Sequence, residues 1–147
     1  ADAERQYVRI PPFIMPWSRE QHTVTLTDPA LAHRIIYRVP QGGPVGFVIL
    51  AGLTNPHRSI EFRRIVVTAK RQGLGRAAVR LVKDFAFAEQ GAHRLWLDVK
   101  DHNHRARRLY EAEGFVVEGV LRECSKGDAG FESLVIMSML SSEYREA

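Results

Sequence analysis

The feature that most constrains the fold is a change of hydrophobic period at two closely spaced glycines, Gly73 and Gly75. Residues 59–67 (SIEFRRIVV) have the composition of a β-strand, and after Gly73 the apolar residues recur at helical spacing. The helical stripe predicted to face the core comprises Leu74, Ala78, Leu81, Val82 and Phe85. A glycine loop between a strand and a helix presents backbone N–H groups at a helix N-terminus, where a diphosphate can bind.

The remaining pattern predicts a mixed α/β sheet with helices packed on it. Expected strands cover 33–39, 45–53, 59–67, 95–99, 115–121 and 131–140, with helices from 74 to about 90 and from 103 to 113. The polar segment 123–130 is expected to be a connection. Asp101 or Asn103 can cap the second helix, and Gly114 suits the left-handed residue that ends it. Period two fails at Arg64, which predicts a β-bulge in the third strand.

Composition places few limits on function but excludes some classes. The 147 residues, 45% apolar and 26% charged, predict one globular domain over residues 1–147. There is no apolar run of about 20 residues and no signal-peptide pattern, so a cytoplasmic protein without a membrane segment is expected. Cys124 is the single cysteine, so an internal disulfide is excluded. The six histidines show no ligand spacing, and no metal is expected.

The glycine loop is compatible with more than one phosphate-bearing ligand. Residues 73–78 (GLGRAA) satisfy the dinucleotide pattern G-x-G-x-x-A, with Asp98 about twenty residues later. The long basic loop at 68–72, the position of Asp98 inside a strand and the lack of further βαβ units argue against that ligand. The Gly-Lys-Ser/Thr of a P-loop is absent. Arg80 and Lys83 are expected to lie on a solvated helix face.

Two segments resemble the motifs of one known family. Residues 72–77 (QGLGRA) are similar to the Q/R-x-x-G-x-G/A signature of the GNAT superfamily of acetyltransferases, and 103–115 (NHRARRLYEAEGF) to its N-x-x-A-x-x-L-Y-x-x-x-G-F. Both motifs stand in the family's order, and the resemblance covers roughly 33 to 140. It implies a mostly antiparallel sheet that is splayed at one parallel pair and flanked by helices. It also implies an acyltransferase that uses acetyl-CoA.

The resemblance further implies roles for individual residues. Backbone N–H groups would hold the CoA diphosphate at Gln72, Gly73, Leu74, Gly75, Arg76 and Ala77. The pantetheine would pair with the backbone of Ile65, Val66 and Val67, and Asn103 would bind its amide groups. Tyr110, seven residues after Asn103 and on the same helix face, would be the general acid. Glu61 would accept the proton of the attacking amine, directly or through water.

The acceptor is expected to be a primary amine, attacking directly within a ternary complex. Candidates are a small-molecule amine, such as a metabolite, a polyamine or an amino-sugar drug, and a protein amino terminus. The net charge of +4 mildly disfavours a polycationic acceptor. The alternative is a non-catalytic CoA- or nucleic-acid-binding module. Nucleic acid is disfavoured because the aromatic residues fall mostly in core patterns. A homodimer is compatible with the sequence.

Overall fold

A single six-stranded mixed sheet organises the part of the chain that the computed structural model describes, residues 28–37, 44–67 and 73–144. Its strands are β1 (Leu31–Tyr37), β2 (Pro44–Ala51), β3 (Ser59–Val67), β4 (Arg94–Lys100), β5 (Val116–Gly127) and β6 (Gly130–Leu140). They lie in the order β1-β2-β3-β4-β6-β5. Helix α1 (Leu74–Lys83) connects β3 to β4, and α2 (His104–Ala112) connects β4 to β5. A 3₁₀ turn, Ser141–Glu143, follows β6. The predicted mixed α/β class is confirmed.

The sheet opens between its two central strands. β3 and β4 are the parallel pair, and they pair only from Ser59↔Arg94 to Glu61↔Trp96. Beyond that point β3 stays paired with β2 as far as Val67, and β4 stays paired with β6 as far as Lys100. Each strand therefore follows its outer neighbour and separates from the other. The predicted splay at one parallel pair is confirmed.

β3 contains the bulge that the broken alternation predicts. Ile49 of β2 pairs with Arg64 and Leu50 pairs with Phe62, so Arg63 is the extra residue. A bulge bends its strand and increases the local twist. The bend therefore helps the carboxyl end of β3 to diverge from β4.

The main core lies between one face of the sheet and the two helices. Ala78, Val82 and Phe85 are buried there, as predicted. Leu81 of the predicted stripe is instead 57% exposed, whereas Val79 is fully buried. The buried arc is centred on 78, 79 and 82, because the helix packs against α2 as well as against the sheet. The spacing of apolar residues in this helix alone could not reveal its contact with α2.

The first helix ends close to the predicted residue, but its last six residues are π-helical rather than α-helical. After Lys83, residues Asp84–Glu89 form a π-helical segment in which the Gln90 N–H donates to the Phe85 carbonyl at 2.9 Å. The wider turn buries three successive side chains, at positions 85, 86 and 87. A regular α-helix turns by about 100° per residue and spreads three successive residues around its circumference.

β5 and β6 form a longer hairpin than predicted. Segment 123–130, expected to be a connection, mostly belongs to the two strands, and Ser125 pairs with Glu132. The prediction failed because most side chains in this part of the hairpin are exposed, so backbone pairing proceeds without an apolar alternation. A bulge between Leu121 and Ser125, with Glu123 at a φ of 46°, separates this part from the rest of β5.

Both predicted ends of α2 are confirmed. The Asn103 side-chain oxygen accepts a hydrogen bond from the Ala106 N–H at 3.2 Å, as an N-cap residue does. At the other end Gly114 has a φ of 98°, and the Phe115 N–H donates to the Tyr110 carbonyl at 2.9 Å. Phe115 packs back into the core with 3% of its surface exposed.

Replacing Gly114 with alanine should destabilise the fold. A left-handed φ costs an L-residue about 1–2 kcal/mol, and the new Cβ would lie 2.8 Å from the Met139 Cε atom. We expect the free energy of unfolding, measured by urea denaturation, to fall by about 1–3 kcal/mol. Gly119→Ala is the matched control, because a Cβ there meets nothing within 4 Å among the described residues. Equal midpoints for the two variants would contradict the prediction.

Candidate active site

The opening between β3 and β4 brings the predicted site residues to one place. The carboxyl ends of two parallel strands lie at the same edge of a sheet, so the helices that follow them begin beside the opening. α1 follows β3 and α2 follows β4. Glu61 is the last β3 residue that pairs with β4. The exposed edge of Ile65–Val67 lies beyond it, since those residues pair with β2 on their other side.

The N-terminus of α1 offers unpaired backbone donors. Gly73 caps the helix with a left-handed φ of 70°, and its carbonyl accepts the Ala77 N–H at 3.1 Å. The amides of positions 74–76 precede that first helical bond and have no partner within the helix. These three positions are among the six predicted to contact the diphosphate. The Ala77 N–H, which is also among them, already donates to the Gly73 carbonyl. Gln72, with the rest of 68–72, lies outside the described residues.

Tyr110 lies between the helix and the sheet with 8% of its surface exposed. Its ring packs edge-on against Phe62 at 6.3 Å and against Phe115 at 5.9 Å between centroids. Burial raises the pKa of its hydroxyl above the ordinary value of 10.0, and the charge of Asp98 raises it further. The phenol therefore stays protonated at neutral pH and is a proton donor.

Glu61 stands at the start of the opening and is partly buried. Arg63 donates to its Oε1 atom from Nη2 at 3.0 Å and from Nε at 3.3 Å. Glu61 and Arg63 thus form an ion pair, in which the arginine is the more exposed partner. Glu61 also lies on the same face of the sheet as Trp96 and Asp98, because Glu61 pairs directly with Trp96 and strand side chains alternate.

Asp98 is the functional candidate that sequence reasoning missed. Burial raises the pKa of its carboxyl above 3.8, the charge of Glu61 raises it further, and the charge of Arg63 lowers it. Its own charge in turn acts on Tyr110. The sequence contains one signal for this role: Asp98 is an acidic residue between Leu97 and Val99, on the strand that leads into the second motif. The dinucleotide pattern, however, links Asp98 only to a nucleotide ligand.

Asn103 lies at the start of α2 and is exposed, so its side chain is accessible from the solvent. Its carbonyl oxygen is used in capping the helix. The amide nitrogen of such a side chain is a donor of two further hydrogen bonds. The predicted contact with a ligand amide group would therefore use the nitrogen as donor.

A buried carboxylate ties α1 to α2. Glu113, 8% exposed, meets Arg80 Nε at 3.0 Å, Lys83 Nζ at 3.3 Å and Arg76 Nε at 3.6 Å. Lys83 also donates to the Glu113 carbonyl at 2.8 Å. The expected solvated position is wrong for Lys83, whose side chain is 11% exposed, whereas the Arg80 side chain is 51% exposed and pairs with Glu113 while still in contact with solvent. An acidic residue at the end of α2, distant in sequence, orders these cations.

The arrangement combines three chemical capacities within one opening. Backbone donors at a helix N-terminus bind an anion, a protonated phenol can donate a proton, and two interacting carboxylates can accept one. In the described ranges, no group of three or more His, Cys, Asp or Glu side chains has a metal-binding arrangement. No helix in those ranges is long and apolar enough to cross a membrane. Cys124 is exposed and lies on β5, at the far edge of the sheet.

Comparison with known proteins identifies the family. Residues 4–115 match the sequence profile of the acetyltransferase (GNAT) family. The chain belongs to that family. The predicted family is thus confirmed.

Two relatives illustrate the similarity at the sequence level. A spermidine N(1)-acetyltransferase of Vibrio cholerae is 32% identical over 113 residues, which are 76% of this chain and 65% of the relative. An uncharacterised N-acetyltransferase of Mycobacterium bovis is 35% identical over 95 residues, 64% of this chain and 58% of the relative. The chain therefore spans just under two thirds of the length of the curated relatives it matches.

Solved structures agree with the fold. The Vibrio cholerae spermidine N-acetyltransferase in complex with CoA and spermine has a TM-score of 0.81 at 27% identity, covering 90% of this chain and 81% of that protein. A structure described as dodecameric has a TM-score of 0.77 at 28% identity, covering 85% of this chain and 73% of that protein. The splayed mixed sheet predicted from the motifs is thus confirmed as the GNAT fold. The homodimer stays a prediction for this chain.

The Glu113 cluster predicts an acid-sensitive contribution to stability. Burial, the largest influence, raises the pKa of Glu113, but the hydrogen bonds and charges of Arg80 and Lys83 outweigh it and lower the pKa below 4.5. The folded protein therefore binds this proton less readily than the unfolded chain. The contribution is present above pH 4.5 and is lost as the pH falls through the lower folded value.

We expect Glu113→Gln to lower the free energy of unfolding at pH 7 by about 1–3 kcal/mol. Below the folded pKa the difference from the parent should shrink, since the parent carboxyl is then neutral as well. Urea denaturation at a series of pH values measures both effects. Glu111→Gln, an exposed position on the same helix, is the control. A pH-independent difference would contradict the predicted role of the charge.

Proposed function

We propose that this protein transfers the acetyl group of acetyl-CoA to a primary amine of a small alkylamine, with polyamines as the preferred class. The observation that carries the proposal is the opening between β3 and β4, where a protonated phenol and two carboxylates adjoin the N-terminus of α1. Family membership supports the reaction. The named activity of the Vibrio cholerae relative, and its complex with CoA and spermine, support the substrate class.

Acetyl-CoA would bind through the backbone. The amides at positions 74–76 would hold the diphosphate, and the helix dipole adds about half a positive charge there. The edge of Ile65–Val67 would pair with the pantetheine as an added strand would, and Asn103 would donate to one of its amide groups. Two features support this arrangement: that edge of β3 is not paired with β4, and Gly75 has no side chain to block the approach.

The reaction would proceed by direct attack. The neutral amine nitrogen bonds to the thioester carbonyl carbon, and the C–S bond breaks as the tetrahedral intermediate collapses. Tyr110 donates its proton to the departing thiolate, and Glu61 or Asp98 accepts a proton from the nitrogen. The raised pKa keeps the Tyr110 phenol protonated at neutral pH, so a proton is present for the departing thiolate. No covalent enzyme intermediate is required.

The local charge around the opening suits a cationic acceptor. The net charge of +4 argues mildly against a polycation, yet an acceptor responds to the potential at its binding place. The charge of Glu61 disfavours the ionisation of Asp98. A protonated amine would relieve this repulsion. This is why we favour a polyamine over a protein amino terminus, for which the described residues offer no comparable feature.

The proposed function is tested by thiol release from acetyl-CoA with a series of monoamines, diamines, polyamines and a peptide amino terminus. We expect release with the alkylamines and the highest kcat/KM with a polyamine. Gly75→Asp is the cofactor-site control, because its carboxylate would repel the diphosphate and raise the Kd for CoA. Gly75→Ala is matched to it, since any Cβ at this position lies 3.4 Å from the Leu109 Cδ2 atom. CoA binding without thiol release would indicate a non-catalytic module.

Tyr110→Phe should lower kcat while leaving the Kd for CoA nearly unchanged. The phenylalanine ring keeps the packing against Phe62 and Phe115 and removes only the proton donor. General acid catalysis typically contributes about 10²–10⁴-fold, so we expect a loss in that range by stopped-flow or steady-state thiol release. A variant with the parental kcat would remove Tyr110 from this role.

The two carboxylates can be distinguished by the pH dependence of kcat. If Asp98 accepts the proton, kcat falls on acidification with a midpoint above pH 3.8, since burial and Glu61 raise its pKa. Glu61→Gln removes the neighbouring negative charge and should move that midpoint to lower pH, whereas Asp98→Asn should abolish it. Loss of the acid limb in Glu61→Gln alone would assign the base to Glu61 and contradict the role of Asp98.

A further inference from the structure

Arg63 occupies an unusual position beside the opening. It is the extra residue of the β3 bulge, two positions after Glu61 and just beyond the point where β3 leaves β4. A bulge commonly re-aims a side chain next to an active site. Here the extra residue carries a guanidinium, and that group contacts Glu61 of the same strand.

The contacts of Arg63 are concentrated on one carboxylate oxygen. Nη2 and Nε of Arg63 lie 3.0 and 3.3 Å from Glu61 Oε1. The Arg63 side chain is 46% exposed, whereas that of Glu61 is 20% exposed. The guanidinium therefore lies on the solvent side of the carboxylate. An ion pair with one partner this exposed is weak, so the arginine can leave at low cost.

The influence of Arg63 extends past Glu61. Its charge also acts on Asp98, where it opposes the effects of burial and of Glu61. Asp98 in turn acts on Tyr110. Arg63 is thus held by Glu61 and its charge reaches Asp98, the two carboxylates that would face the acceptor in the proposed reaction.

An alkylamine reaches the protein as a cation. Its pKa is near that of a lysine side chain, about 10.4, so at neutral pH nearly every molecule is an ammonium ion. An ammonium and a guanidinium cannot both lie against one carboxylate oxygen without strong mutual repulsion. An ammonium that approaches Glu61 therefore competes with the guanidinium for the charge of this carboxylate.

We propose that Arg63 is a specificity-determining residue, a resident cation at Glu61 that the ammonium group of the acceptor displaces. The inference rests on the proposed function, because it requires an amine acceptor. Displacement opposes binding of every amine acceptor. The displaced guanidinium stays on a short tether beside the site and repels any further ammonium groups. Arg63 therefore sets the acceptor KM and limits the preference for diamines and polyamines over monoamines.

Arg63→Met tests the proposal, since methionine keeps an unbranched apolar side chain and removes the charge. We expect the KM for a monoamine to fall about two- to fivefold, which corresponds to the strength of an exposed ion pair. The KM for a matched diamine should fall by a larger factor at low salt. That excess should shrink at about 1 M salt, where the Debye length is about 3 Å. The Kd for CoA should not change.

Binding can be followed without turnover. Calorimetric titration of the CoA-bound protein with the same amines gives a Kd that should fall in parallel with KM. Arg63→Lys keeps the cation and should stay close to the parent. Arg122→Met is the matched control, since it removes an exposed arginine from β5 at the far edge of the sheet.

The outcomes separate the two proposals. Parental KM and Kd in Arg63→Met, with thiol release intact, would overturn the role of Arg63 and leave the proposed function standing. An equal fall in Arg122→Met would mean that net charge alone is responsible, and would also overturn it. If the parent releases no thiol with any amine, the proposed function fails and this inference fails with it.

Discussion

The short ladder between β3 and β4 is the constraint on which the rest of the site depends. After Glu61 and Trp96 the two strands share no further pairs, because each is committed to its outer neighbour. This leaves an edge of β3 with free backbone groups in the middle of a sheet. Ile65–Val67 are only partly buried, so solvent can reach this edge. In the proposed reaction the pantetheine amide groups would pair with it.

Two sets of charges around the opening have different roles. Glu113 gathers three cations of α1 and ties α1 to the helix that carries Tyr110. Glu61, Asp98 and Arg63 lie on the other side of the opening and form a small cluster that is only partly neutralised. The first set is compensated and holds the helices in place. The second leaves a local negative potential that is suited to a cationic acceptor.

Sequence reasoning succeeded where one residue type serves one local requirement. The bounds of β3, its bulge, the Asn103 cap and the left-handed Gly114 were all predicted, since each follows from local backbone geometry. It failed at Leu81, at Lys83 and in finding the partner of Arg80. The exposure of Leu81, and the pairing of the two cations with Glu113, depend on α2, which lies about thirty residues away in sequence.

The sequence by itself determined the family, the order of the elements and the segments that border the opening. It did so because motif spacing and hydrophobic period are properties of neighbouring residues. Only the tertiary structure brought Asp98 within reach of the charge of Glu61, and Tyr110 within reach of the charge of Asp98. These relations depend on the register between β3 and β4 and on the packing of α2 against the sheet. Charges on neighbouring strands interact through space, and the sequence does not give the distances between them.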